Sequence, residues 1–329
     1  MKQTNLSVFI PHLGCPNTCS FCNQRCISGS ITAPSADEVK KLLSEQQPVL
    51  KAHKQSAEIA FFGGSFTAVD EEYRNSLLEA AQSFIEAFPQ EYCGIRCSTR
   101  PDCISEKTLL KLKKSGVTAV ELGAQSMNDS VLALNKRGHT AEDVRKASRL
   151  IKNFGFELGL QMMTGLLGDK PEYCIDTARE FIELKPKTVR IYPTVILQNT
   201  ELARLFESGE YRSFGFEETV GLCAELLRMF RKNDIKVIRL GLHASETVEG
   251  EMLGGVYHPA LGEIVESRIV LAKMQEQMKP DSNYIIFTDK KYISRIIGHK
   301  SANKAALQAT GIRFQIKEEK GTFLRIEEV

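Results

Sequence analysis

The sequence predicts an α/β protein built as a partial (β/α)6 TIM-like barrel and followed by a small α+β C-terminal domain. From residue 7 to about 196, short apolar runs alternate with longer amphipathic stretches, the pattern of successive βα units around a parallel sheet. The units number six, whereas a closed barrel has eight, so an open sheet with its site at the carboxyl ends of the strands is expected. Beyond residue 283 the pattern changes to strand, helix, glycine loop, helix and two strands.

The expected barrel strands are Ser7–Leu13, Glu58–Phe62, Gly94–Ser98, Ala119–Gly123, Phe156–Met163 and Thr188–Tyr192, all mainly apolar. Helices are expected between them at 35–53, 71–88, 105–115, 141–154 and 171–184, several opened by a Ser, Thr or Asp able to cap the first turn. The third begins Ser-Glu-Lys-Thr and stops at Gly116. Residues 199–235 read as helical, Lys236–Leu240 as a further strand and 261–278 as a helix that ends in a Pro-Asp-Ser-Asn turn at 280–283. The expected division is a barrel over 1–240, a helical linker or extension over 241–283 and a C-terminal domain over 284–329.

Composition bounds the function. At 329 residues, 42% hydrophobic and 26% charged, the chain is long enough for a well-buried core and ordinary for a globular protein. No apolar run approaches the roughly 18 residues that span a membrane, and the start Met-Lys-Gln-Thr-Asn-Leu lacks the apolar segment of a signal peptide. A cytoplasmic location with reduced thiols is therefore expected. A net charge of +2 argues for no polyanionic partner by itself, so any nucleic-acid contact must rest on local charge.

The stretch Gly14-Cys-Pro-Asn-Thr-Cys-Ser-Phe-Cys-Asn23 places Cys15, Cys19 and Cys22 directly after the first strand. A cubane iron–sulfur cluster is held by thiolates, so three close-spaced thiolates leave its fourth iron without a protein ligand and open to chemistry. Cys19 and Cys22 also form a C-x2-C pair that zinc uses, with Cys15, Cys26 or His12 to complete the set. No second C-x2-C follows, which counts against zinc. Nine cysteines is an odd number, which counts against a framework of disulfides. The C-x3-C-x2-C spacing, with an aromatic before the last cysteine, resembles the radical S-adenosylmethionine (SAM) superfamily. That resemblance implies a [4Fe–4S] cluster whose free iron chelates SAM and whose electron cleaves it to a 5′-deoxyadenosyl radical.

Polar and glycine residues gather at the other strand ends. These are Gly63-Gly64-Ser65-Phe66, Ser98-Thr99-Arg100-Pro101-Asp102, Glu121-Leu-Gly-Ala-Gln125-Ser126 and Gln161 to Gly168, with Lys136-Arg-Gly-His-Thr140 between the last two. Such a concentration at one end of several strands is better explained by a site than by packing. In order and spacing these motifs resemble the elongator catalytic-subunit family of radical SAM proteins over about residues 7–200. The resemblance implies a barrel of the radical SAM type in which Cys15, Cys19 and Cys22 hold the cluster and Phe21 lies beside the adenine. It implies that Gly63, Gly64 and Ser65 meet the methionine amino end, that Ser98, Gln125 and Gln161 line the SAM groove, and that Arg137 pairs with the SAM carboxylate. A guanidinium fork matches a carboxylate with two parallel hydrogen bonds. That family also carries a basic segment before the barrel and an acetyltransferase domain after it. The barrel expected here begins within the first ten residues and the stretch after about 240 is too short for the latter domain, so acetyl transfer is not expected.

Residues 284–329 resemble a KH RNA-binding domain, with Gly298-His299-Lys300-Ser301 where the clamp loop lies but without the second glycine of its GXXG. Between 289 and 317 seven Lys or Arg, Lys304 among them, face one acid, Asp289. RNA contact is therefore expected at Gly298, His299, Lys300, Ser301 and Lys304. Cys97 falls inside a strand, with Cys93 and Cys103 on different elements, and these three are expected to be packing residues. Cys26 reads as a bystander, and His243 and His258 as residues that line a substrate mouth or bind metal.

The function these features lead to is a radical SAM enzyme, supplied with electrons by a reductant such as flavodoxin or ferredoxin, that modifies an RNA nucleotide. No side chain stands out as a catalytic acid or base. Two alternatives stay open at this point: the same chemistry on a small-molecule or porphyrin-like substrate, or an iron–sulfur RNA-binding protein without catalysis.

Overall fold

Strands form where β-branched and aromatic runs pair across a core. The structure is a computed structural model that describes residues 2–11, 13–15, 19–28, 32–243 and 245–329. Within them lie β1 (Lys2–Phe9), β2 (Gln55–Phe62), β3 (Tyr92–Thr99), β4 (Val117–Gln125), β5 (Glu157–Thr164) and β6 (Thr188–Pro193). They are followed by β7 (Val195–Leu197), β8 (Lys236–Leu240), β9 (Met252–Gly255), β10 (Asn283–Thr288), β11 (Arg313–Glu318) and β12 (Arg325–Glu328). Seven of them make one all-parallel sheet in the order β1-β2-β3-β4-β5-β6-β8. The sheet curls into a half-barrel that stays open, since β1 and β8 are its two edges.

Each crossover between neighbouring strands carries a helix, and the sequence starts those helices with real caps. Ser35 and Glu38 form a capping box at Ala36–Ala52, Asp70 caps Glu71–Ala87, Ser105 caps Glu106–Lys114, and Thr140 with Asp143 boxes Ala141–Asn153. Each such cap contributes about 1 kcal/mol by satisfying N–H groups that the helix leaves unpaired. The helices lay Val39, Leu43, Leu77, Leu78, Leu109, Leu112, Val144, Ile151 and Phe181 into one core with Ile59, Phe61, Ile95, Val120, Leu160 and Val189 of the strands. Strands covered in this way read as nearly continuous apolar runs.

Several boundaries differ from expectation. β1 covers Lys2–Phe9 rather than 7–13: its polar start pairs with β2 from Lys2↔Gln55 onward, and Pro11, which has no N–H, lies beyond its end. An edge strand can carry polar residues that a central strand cannot. The helical stretch 199–235 is broken into Glu201–Glu207 and Phe216–Lys232, with Gly209 in the left-handed region between them. β7 and β9 form an antiparallel pair with no counterpart in the expected elements, because a three-residue strand is too short to show a period. The segment 241–283 accordingly holds a short helix, β9 and the helix Leu261–Gln277.

At the C-terminus β10 is the central strand, parallel to β11 and antiparallel to β12. Two short helices, Ile293–Ile297 and Ala302–Gln308, pack with Leu261–Gln277 around Val270, Met274, Ile286, Ile296 and Leu307. Among the described residues no helix is long and apolar enough to cross a membrane.

Candidate active site

The end of β2 and the cysteine segment lean on each other through bare backbone. Gly63 and Gly64 have φ of +83° and +54°, and a Cβ on Gly64 would stand 2.1 Å from the carbonyl oxygen of Leu13. Only glycine tolerates both the left-handed turn and that approach. The Gly64 N–H donates to Oε1 of Gln24 at 2.8 Å. Ser65 is fully buried below the turn. Its N–H donates to Leu13 O at 2.9 Å. Its Oγ shares a proton with Oγ1 of Thr99 at 2.7 Å and accepts from the N–H of Arg100 at 3.3 Å. Ser65 thus ties the ends of β2 and β3 together from beneath.

Above this turn lies a cavity of 140 Å³ that brings together Cys15, Cys19, Cys22, Phe21, Gly63, Gly64, Ser98, Gln125, Arg137 and Gln161. Of the cluster and SAM residues expected from sequence, Ser65 alone does not line it. Gln24, Thr99, Arg100 and Gly123 line it as well and were not singled out. Arg100 belongs to the stretch Ser98-Thr99-Arg100-Pro101-Asp102, and its fork is held by Asp102 at 3.0 and 2.8 Å.

The polar atoms of this cavity ask for a ligand. Arg100 Nη1, Gln125 Oε1 and Arg137 Nε are buried without a hydrogen-bond partner among the described residues, a costly condition that a polar ligand relieves. Gln125 also sits at φ +67°, a strained conformation for a side-chain-bearing residue that is typical of functional sites. Arg137 Nη1 donates to Sγ of Cys19 at 3.0 Å and Nη2 to the carbonyl of Gly123 at 2.6 Å. Burial, with the neighbouring Cys19, raises the Cys15 thiol, and burial with Cys19 and Cys15 pushes Cys22 up to about 12. Among the described residues no three His, Cys, Asp or Glu converge on a single-ion site. A cubane puts each thiolate on a different iron and does not require that convergence. Three thiols lining one cavity together with cationic and amide atoms that no described residue pairs fit a cluster with a zwitterionic ligand. His12, the remaining candidate for a zinc set, lies outside the described residues.

The cavity opens into a second one of 420 Å³, lined by Phe9, Phe62, Met163, Arg190, Tyr192 and His243 among others. Phe21, Cys22, Gln24, Gly63, Ser98, Gln125 and Gln161 belong to both. Below it the barrel interior is charged where aliphatic packing is usual. Arg96 donates to Glu58 at 2.8 Å and Glu157 at 2.6 Å and lies 3.5 Å from Glu121. Arg190 forks onto Glu121 at 2.7 and 3.1 Å, and Gln161 donates to the same carboxylate at 2.8 Å. Burial works against the Arg96 charge, but hydrogen-bonded Glu58 and the other carboxylates outweigh it and hold its pKa above the ordinary value. One charged residue inside each of several apolar strands is the signal that sequence reading passed over.

The other expected residues are placed as follows. Cys26 is buried, its Sγ 3.4 Å from the carbonyl of Thr247, while Thr247 Oγ1 donates to Cys26 O at 2.7 Å. This links the cysteine segment to the region after the barrel. Cys93 and Cys97 share β3 and Cys103 lies in the turn after it, so the expectation of separate elements is corrected for the first two. Cys97 is fully buried and Cys93 exposed. Gly298–Ser301 joins the two C-terminal helices, with φ of +84° at Gly298, +50° at Lys300 and +64° at Ser301. His299, Lys300, Ser301 and Lys304 are exposed, and the ring of His299 meets that of His258 edge-on at 4.9 Å. His243 lines the second cavity, and its pKa is lowered by burial and by Arg239 and Arg190.

A half-barrel with three thiols and a glycine turn at its strand ends is the architecture of the radical SAM enzymes. The superfamily's defining pattern matches residues 9–181 and that of the radical SAM C-terminal domain matches 186–270; the chain belongs to the radical SAM superfamily. As a member it is an enzyme that uses a [4Fe–4S] cluster and SAM. It is homologous to the radical SAM region of a tRNA uridine(34) acetyltransferase from Methanocaldococcus jannaschii, with 31% identity over 226 residues, 63% of this chain and 41% of that protein. Human Elongator complex protein 3 is 30% identical over 204 residues, covering 56% of this chain and 37% of that one. The chain thus spans about two fifths of the length of these curated relatives. The solved structure of the Methanocaldococcus infernus Elp3 with an N-terminal deletion superposes with a TM-score of 0.65 at 24% identity, over 84% of this chain and 64% of that one, and shows the same fold.

Proposed function

We propose that the chain binds a cluster through Cys15, Cys19 and Cys22, binds SAM across the two joined cavities, and uses the pair to modify a nucleotide of an RNA. When bound, the reduced cluster supplies the electron that cleaves SAM and so gives a radical able to take hydrogen from an inert C–H bond. The protein's part is placement. Gly63 and Gly64 admit the methionine amino end, Ser98, Gln125 and Gln161 line the groove, and Phe21 stands beside the adenine. Arg137 offers its guanidinium charge and its buried Nε to the carboxylate. Ser65 holds the glycine turn in shape from below. The observation that carries this reading is the joining of a larger aromatic cavity to a thiol-lined pocket with three buried polar atoms that lack a partner among the described residues.

The RNA part rests on the Methanocaldococcus jannaschii relative, a tRNA uridine(34) acetyltransferase, and on the C-terminal segment 284–329. We read that segment as a KH-like domain in which Gly298, His299, Lys300 and Ser301 present backbone N–H groups and positive charge to phosphates, with Lys304 beside them. A mass-spectrometric comparison of RNA nucleosides from cells with and without the gene tests the reading directly: a nucleoside lost on deletion supports it, and identical nucleosides overturn it. Placing Asp at both His299 and Lys300 should abolish RNA binding in a gel-shift assay while SAM cleavage without substrate persists. Binding that survives this double change removes the loop from the interface.

A further inference from the structure

One amide of the groove has its orientation dictated by the charged layer beneath it. Gln161 on β5 lines both cavities, and its Nε2 donates to Oε2 of Glu121 at 2.8 Å. Glu121, buried on β4, is paired with Arg190 at 2.7 Å and with Arg96 at 3.5 Å. A carboxylate so paired only accepts hydrogen bonds, whereas an amide carries its donors on nitrogen and its acceptor on oxygen. The nitrogen of Gln161 is thereby committed to Glu121. Its Oε1 accepts from no described residue and is the end left for a ligand.

The sheet leaves room for this arrangement at one place. Glu121 is the register partner of Gly159, which precedes Gln161 by two residues on the same face of β5. A Cβ on Gly159 would stand 2.6 Å from Cγ of Glu121 and 3.0 Å from Oγ1 of Thr188, so space and not backbone conformation calls for glycine there. Through that gap the Glu121 side chain passes over β5 and reaches Arg190 on β6, itself the register partner of Gln161. Arg190 Nε and Gln161 Nε2 then meet on the same carboxylate oxygen. Resting on the SAM site proposed above, we infer that Glu121 is a positioning residue for SAM: seated over Gly159 and fixed by Arg96 and Arg190, it turns the Gln161 amide so that the groove receives a carbonyl oxygen. Gln161 therefore meets a hydrogen-bond donor of SAM and not its carboxylate. A side chain held in this way enters the binding step with its orientation already set.

The test measures SAM affinity by calorimetry on the full chain carrying its cluster, without oxygen and without reductant, so that binding is read apart from turnover. Gln161→Leu should weaken SAM binding about three- to tenfold, the equivalent of one neutral hydrogen bond. Two further variants disturb only the orientation of the amide. Gly159→Ala displaces the Glu121 side chain with a methyl, and Glu121→Asp keeps a charge for the two arginines while drawing the carboxylate back from Gln161. Each should weaken binding by about the same factor as Gln161→Leu. In the Gln161→Leu background neither should weaken it by more than about a further twofold, because the amide they orient is already gone. A merely destabilised barrel would lower affinity equally in both backgrounds, so additive losses overturn the inference. Parental affinity in Gln161→Leu, or in both Gly159→Ala and Glu121→Asp, overturns it as well. A parent that binds no SAM removes the SAM site and this inference together, whereas the other outcomes remove the inference alone.

Discussion

Arg137 holds the Cys19 sulfur at 3.0 Å through one guanidinium nitrogen and the Gly123 carbonyl at 2.6 Å through another, while its buried Nε has no hydrogen-bond partner among the described residues. One side chain thereby ties the cysteine segment to the end of β4 and keeps a donor free at the cavity.

Arg137→Ala should lower SAM affinity by about 10- to 150-fold, the equivalent of the 1.5–3 kcal/mol carried by a hydrogen bond to a charged group. Three thiolates remain for the cluster, so iron content should stay near the parental level. Equilibrium binding and iron analysis on the same preparation check both halves.

Gly64→Ala places a methyl where the Leu13 carbonyl stands and forces φ +54° on a residue with a Cβ. The clash is with backbone, which cannot swing aside, so SAM binding should fall by about tenfold or more. Gly221→Ala, inside the helix Phe216–Lys232 with open space around it, should instead raise stability by about 0.5–1 kcal/mol. Calorimetric binding and urea denaturation separate the two outcomes.

Glu121→Gln removes the carboxylate that Arg96 and Arg190 share deep in the barrel. Breaking a buried charge pair from one side costs about 3–5 kcal/mol, because the partner charge is left uncompensated. Urea denaturation should show that loss, and a change under about 1 kcal/mol would show that the network is not as dry as its burial implies.

His139 sits buried with Nε2 3.2 Å from the Ala124 carbonyl, and burial together with the Arg137 charge lowers its pKa from 6.5 to about 4. The unfolded chain therefore binds a proton between those values that the folded chain refuses, and stability rises with pH across that window. Between pH 6.5 and 4 the protein should lose on the order of 3 kcal/mol from this group. Urea midpoints measured across that range should flatten in His139→Gln.

Much of this site was legible because its chemistry is local in sequence. Cys15, Cys19 and Cys22 lie close together in sequence, Gly63 and Gly64 mark a strand end by composition, and Arg137 and Gln125 lie in recognisable motifs. The charged barrel interior was not legible. Arg96, Glu121 and Arg190 lie on different strands far apart in sequence, and only the register of a folded sheet makes them neighbours. The pairing of β7 with β9 was hidden for the same reason, as a three-residue strand finds its partner some 55 positions later through tertiary contacts. The role of Ser65 beneath the turn could not be read either, since a strand-end serine looks the same whether it faces a ligand or a neighbouring threonine.

Anaerobic purification followed by reduction with dithionite in the presence of SAM puts the cysteine site to the hardest test. The parent should be brown, carry about four irons per chain and release 5′-deoxyadenosine and methionine, while Ser at any of Cys15, Cys19 or Cys22 should abolish both colour and product. Ser at Cys26 or Cys97 should leave both intact. A colourless zinc protein, or cleavage that survives loss of those three thiols, would contradict the assignment of this cavity.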